Sequence, residues 1–141
     1  MFRISLLALL GFALAGTAPA SAACAGPDPA ITSVAVKNVA QSGGTSHYTL
    51  AVTVTNDGSQ AQAKDVLQFV DIYQVPGEKL DAKSVPPLQA GQTYTVTYET
   101  MRASDAGNGT THLRFALDQR QPSPGSGTDC DAANDSYPFT F

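Results

Sequence analysis

An all-β, immunoglobulin-like sandwich of two sheets and about seven strands is the fold class this sequence predicts, and three observations predict it. Residues 48–58, Tyr-Thr-Leu-Ala-Val-Thr-Val-Thr-Asn-Asp-Gly, set apolar side chains at 48, 50, 52 and 54 between small polar ones and end on a turn signal. That is the period-2 pattern of a half-buried strand running into a tight turn. The same alternation returns at 92–101, 112–117 and 136–141. Clusters of Gly, Pro, Asn and Asp separate these runs at the spacing of a sandwich, and the mature chain carries no helical period.

The elements follow in order. Residues 1–22 combine Arg3, an apolar run over 4–14 and a small-residue end, Ala20-x-Ala22, which predicts a secretory signal peptide. The run is shorter than the ~20 apolar residues that a membrane-spanning helix needs. One domain over 23–141 is expected, since about 100–150 residues is the commonest domain size. A Gly-Pro-Asp-Pro linker at 26–29 leads into an edge strand over 30–39, with Val34 and Val36 on one face and Ala35 and Lys37 on the other. Residues 41–45 read as the longer loop of a hairpin joining it to the strand that starts at Tyr48.

Residues 66–75 supply the next strand, and its register is the ambiguous one. Turning Val66, Val70 and Ile72 inward leaves Leu67, Phe69 and Tyr73 on the outer face, whereas the opposite choice buries Asp71 beside three large side chains. An unpaired buried carboxylate is expensive, which favours the first. Residues 80–85, bracketed by Pro76-Gly77 and Pro86-Pro87, form a short edge strand or a crossing between sheets. Tyr94, Val96 and Tyr98 then mark one inward face, and Leu113, Phe115 and Leu117 another, with His112, Arg114 and Ala116 pointing away. Residues 121–127 are Pro, Ser and Gly-rich surface loop. Tyr137, Phe139 and Phe141 give the last strand an aromatic inner face, and Pro138, which cannot donate to a ladder, belongs at an outward or edge position. A terminal Phe also suits an outer-membrane barrel, but at least eight membrane strands are needed to close one.

The formal charge of −4 leaves no basic stripe for a phosphate backbone, so nucleic acid is not an expected partner. Two cysteines in an exported chain are most simply one disulfide, here Cys24 to Cys130. Closing a loop of roughly a hundred residues would stabilise the fold by about 4.7 kcal/mol. Lipidation of Cys24 is the competing reading, but its signal wants Leu where Ser21 stands, and it would strand Cys130 as an odd thiol.

Residues 52–58 (Val-Thr-Val-Thr-Asn-Asp-Gly), 88–96 (Leu-Gln-Ala-Gly-Gln-Thr-Tyr-Thr-Val) and 115–118 (Phe-Ala-Leu-Asp) together resemble the bacterial cell-adhesion-related domain, CARDB. The resemblance covers most of the mature chain. It implies an immunoglobulin-like fold used in extracellular or envelope recognition, and it implies no reaction. In that family the Asp closing the penultimate strand is usually followed by a short acidic, asparagine-rich hairpin. Here Asp118 is followed by a Pro- and Gly-rich insertion and Cys130, with Asp131, Asn134 and Asp135 echoing the family pattern.

Candidate sites are few. His47 and His112 each precede an inward residue, so both should point outward from opposite sheets, which argues against a shared transition metal. Asp129, Asp131, Asn134 and Asp135 offer calcium-type oxygens, although their spacing departs from the twelve-residue Ca loop and suits local turn bonds. No nucleophile elbow or paired base stands out, so an enzyme is not expected, and no cofactor is implied. Two surfaces could bind. One is the outer face carrying Leu67, Phe69 and Tyr73 beside His112 and Arg114; the other is the loop set at 56–60, 104–110 and 119–128. The expected role is an exported, non-catalytic recognition or structural module of the envelope or extracellular space, with a protein or cell-surface partner. The alternative is a secreted accessory that binds a carbohydrate or small ligand, a role weakened by the absence of Trp.

Overall fold

The computed structural model describes residues 25–103, 109–120 and 129–141. Residues 1–24, 104–108 and 121–128, and with them the expected signal peptide, Cys24 and the expected surface loop at 121–127, lie outside the described residues. Among the described residues the alternating sequence becomes seven strands: β1 (Pro29–Ser42), β2 (Thr45–Asn56), β3 (Gln68–Gln74), β4 (Lys79–Val85), β5 (Thr93–Ala103), β6 (His112–Gln119) and β7 (Ser136–Thr140). A 3₁₀ turn at Ala132–Asn134 is the only helical element among the described residues. The strands form two sheets, ordered β1-β2-β5 and β4-β3-β6-β7, with every pair antiparallel.

The core is the meeting of the inward faces. Leu50, Val52 and Val54 of β2 pack in one cluster with Val70 and Ile72 of β3 and Leu113, Phe115 and Leu117 of β6. The Tyr98 and Phe115 rings meet edge-on between the sheets, centroids 6.4 Å apart. Side chains of this size each contribute about 1.5–3 kcal/mol when fully buried. The aromatic face of β7 seals the flank, with Tyr137, Phe139 and Phe141 packed against the core. Arg102 of β5 latches the far end by donating to the Tyr48 hydroxyl at 2.8 Å and the Phe141 carbonyl at 3.1 Å.

Three expectations are corrected. The β1–β2 connection is a two-residue turn, because Ser42 pairs with Thr45 and only Gly43 and Gly44 lie between them. Both have positive φ, 56° and 78°, the conformation that a tight hairpin asks of its central residues and that glycine adopts without strain. Val34 is buried but Val36 is exposed, since a register shift follows at 36/38 and this end of β1 overhangs the core. Tyr94 is likewise exposed on the edge strand β5. Residues 79–85 resolve as an edge strand, β4, paired to β3.

The register of β3 is the one that keeps Val66, Val70 and Ile72 inside. Gln68 goes in with them and is met by Gln62. The two amides bond reciprocally, each Nε2 donating to the other's Oε1 at 2.9 Å, while Gln68 also donates to the Pro86 carbonyl and Gln62 Oε1 accepts from the Leu88 amide.

The Asn56-Asp57-Gly58 stretch has a larger role than a local turn. Asn56 is 0% exposed. Its Oδ1 accepts from the amides of Asp28 (2.9 Å) and Gly58 (3.1 Å), and its Nδ2 donates to the carbonyls of Gln60 (2.8 Å) and Leu88 (3.1 Å). Its backbone meanwhile joins the 91–92 corner, through Asn56 N to Gln92 O and Gly91 N to Asn56 O. Three segments remote in sequence are tied at one residue.

Candidate functional site

Strand alternation turns residues 69, 71 and 73 of β3 and 112, 114, 116 and 118 of β6 to the outside of the four-stranded sheet. Register then sets them side by side: Tyr73 opposite Arg114 and that opposite Pro138, Asp71 opposite Ala116, Phe69 opposite Asp118. The Arg114 guanidinium lies over the Tyr73 ring at 4.3 Å, and that of Arg120 over Phe69, also at 4.3 Å. Planar guanidinium on an aromatic face is a favourable stack that leaves the N–H edge free to bond.

Asp71 lies between these pairs. It is only 3% exposed although it faces outward, because the side chains around it fold over it. Lys79 Nζ contacts its Oδ2 at 2.5 Å and Arg120 Nη2 its Oδ1 at 3.0 Å, with the Tyr73 hydroxyl 3.4 Å from Oδ2. Arg120 is in turn held by Asp118 at 2.7 Å. The burial that argued against Asp71 facing the core is thus reached on the outer face, with two cations to offset it.

The expected binding residues are accordingly brought together on one face. Leu67 is 57% exposed just before β3, Phe69 and Tyr73 are half-buried under their arginines, and Arg114 is exposed. His112 lies on the same face with both ring nitrogens within 3.1 Å of a hydroxyl, Nε2 by Thr110 and Nδ1 by Thr140. His47 lies on the other sheet. Sequence reading missed Asp71, Lys79 and Arg120 as part of this face; a carboxylate alternating with large aromatics was the available signal.

The acidic corner at 129–135 is a second cluster. Asp129 Oδ1 accepts from the Asp131 amide at 2.9 Å and Asp131 Oδ1 from the Ala133 amide at 3.1 Å, the turn bonds expected of such residues. Asn134 Nδ2 donates to Asp28 at 3.1 Å, tying the corner to the segment before β1. Three side-chain oxygens, Asp129 Oδ2, Asn134 Oδ1 and Asp135 Oδ1, are buried without a hydrogen-bond partner. Burial, with the nearby Asp129 next, pushes the Asp135 carboxyl up to about 8. No three His, Cys, Asp or Glu side chains among the described residues converge as a metal cage.

A recess of about 380 Å³ lies away from both clusters, on the three-stranded sheet between Asn38, His47, Thr49, Glu99 and Met101. It is open, and Ala40, Tyr48 and Thr100 complete its lining. No described helix is long and apolar enough to cross a membrane.

A family model described as CARDB matches residues 27–121. Among solved structures, the chain is similar to the CARDB domain of a Pyrococcus furiosus protein, solved in complex with di-metal ions. The two share 15% identity over 86% of this chain and 91% of that one, with a TM-score of 0.57. A putative β-galactosidase from Bacteroides fragilis aligns at 17% identity and a TM-score of 0.45, over 76% of this chain and 15% of that one. No curated protein matches.

Proposed function

Since the chain belongs to the CARDB family, we propose that it acts as a non-catalytic recognition module, exported to the envelope or beyond, whose outer β3–β6 face binds a protein or cell-surface partner. The observation that carries this reading is the juxtaposition of exposed Leu67 with two aromatic rings, each under an arginine, on one sheet face. Arginine and large aromatics are the side chains that dominate binding energy at interfaces. A Cys24 to Cys130 disulfide belongs to the same reading. It is supported by the Cys130 amide and Sγ lying 3.3 and 3.4 Å from the Pro27 carbonyl, three residues from Cys24.

The test compares the chain with its Phe69→Ser, Tyr73→Ser variant. Both rings lie outside the core, so the variant should keep its Tm within about 3 °C. An envelope component captured by the parent chain should be lost by the variant. Equal capture by both, or a variant that cannot fold, overturns the reading. Retention on a glycan array with no protein captured would favour the carbohydrate-binding alternative.

A second reading, divalent cation binding at the acidic corner, is favoured by the three buried oxygens without donors. Those residues fit a hard, oxygen-seeking ion, with Asp129, Asn134 and Asp135 as the groups that would hold it. The similar Pyrococcus furiosus domain was solved with di-metal ions. In the metal-free chain Asp135 binds its proton more tightly folded than unfolded, so the stability this group contributes is full at acid pH and is lost as pH rises from about 4 to about 8. Millimolar calcium should therefore raise Tm more at pH 8 than at pH 5, where the proton competes. A calcium-independent Tm at both pH values ends this reading.

A further inference from the structure

We infer that the β3–β6 face takes a carboxylate from its partner, with Arg114 as the group that receives it; the inference rests on the recognition reading above and names the partner's chemistry. The two stacked arginines differ in one respect. Arg120, over Phe69, already has its N–H groups engaged by Asp118 and Asp71. Arg114, over Tyr73, has that ring contact and no carboxylate or hydrogen-bond acceptor among the described residues. Its neighbours on the face are Tyr73 and Pro138 across the strands and Ala116 and His112 along β6, none of them acidic. His112 is already bonded to two threonines, so it does not compete for an incoming acid.

The surrounding charge favours the same ligand. Lys79, Arg114 and Arg120 face Asp71 and Asp118 here, so a local positive excess sits on a chain whose formal charge is −4. A cationic patch on an acidic protein steers an anionic group to that patch. The planar fork of a guanidinium, here 4.3 Å from the ring beneath it, matches a carboxylate with two parallel hydrogen bonds. Phe69 lies farther along β3 and Leu67 just before it, roughly 13 and 20 Å from Tyr73 at the rise of a strand. An extended segment that carries an acidic side chain and, four and six residues on, apolar ones therefore fits the whole face, since even separations turn all three side chains to the same side, its acid on Arg114 and its last apolar group on Leu67.

Three fluorescein-labelled, C-terminally amidated heptapeptides, X-Thr-Thr-Thr-Leu-Thr-Leu with X as Glu, Gln or Lys, test this by fluorescence anisotropy at low salt. The Glu peptide should bind about tenfold more tightly than the Gln peptide, and the Lys peptide least. Arg114→Ala should lose about that tenfold while keeping its Tm, since the side chain is exposed; Arg114→Lys should recover only part, because it keeps the charge and loses the fork. Equal binding of the Glu and Gln peptides, unchanged binding by the Arg114→Ala chain, or no binding by any peptide overturns the inference. If Phe69→Ser, Tyr73→Ser still abolishes envelope capture in that event, the face remains a recognition surface of another chemistry.

Discussion

Asn56→Ala is expected to destabilise the fold by about 4 kcal/mol, lowering Tm by roughly 15 °C, as read by urea and thermal unfolding. The substitution removes one buried amide and leaves three backbone groups without the partner they had, the amides of Asp28 and Gly58 and the carbonyl of Gln60, while the Leu88 carbonyl keeps only the Gln62 amide. The amides of Asp28 and Gly58 make buried bonds, and each buried unsatisfied group costs about 1–3 kcal/mol. Asn56→Asp separates the two halves of the effect. It keeps the acceptor for Asp28 and Gly58 but sets a negative oxygen against two carbonyls, so it should be nearly as damaging at neutral pH and partly relieved on acidification. A loss under about 1 kcal/mol for Asn56→Ala would show that the knot is not the tie described here.

Gly58→Ala should cost about 3 kcal/mol for a different reason. Gly58 does not have positive φ, so its backbone would accept a side chain. The obstacle is the segment ahead of β1: a Cβ there would overlap the Gly26 carbonyl oxygen and sit 2.5 Å from the Asp28 amide nitrogen and 2.8 Å from the Pro27 carbonyl carbon. Backbone cannot swing aside as a side chain can, and Asp57 and Ser59 both donate to that segment, at 2.8 and 3.1 Å. Gly44→Ala provides the contrast. Nothing lies within 4 Å of its Cβ, and the strain is only the left-handed φ, about 1–2 kcal/mol. Should Gly58→Ala prove the milder of the two, close approach is not what selects glycine there.

The sandwich was legible because a strand with one buried face must alternate, and β2 and β6 alternate without exception at their core positions. The order of Asn56, Asp57 and Gly58 was legible only as a turn. Its bonding partners at Asp28 and Leu88 lie 28 and 32 residues away, and nothing local announces them. Asp71 shows the same limit from the other side. Its charge correctly excluded one register, yet its burial on the outer face depends on Lys79 and on Arg120, 49 residues along the chain. The aromatic and Arg114 positions followed from alternation alone, while their stacking needed the register of β3 against β6.

The Gln62–Gln68 amide pair has a consequence for how the chain finds its fold. Residues 66–75 are apolar on both faces, so a misaligned β3 could still shield large side chains and linger as a decoy. A slip of one residue would send Gln68 outward and drive Phe69, Asp71 and Tyr73 inward. Gln62 would then keep the Leu88 amide on its Oε1 but face the interior with its Nε2 unanswered, and Asp71 would be torn from Lys79 and Arg120. Two polar penalties therefore fall together on the wrong alignment, and the decoy is rejected by what it fails to satisfy more than by what it fails to cover.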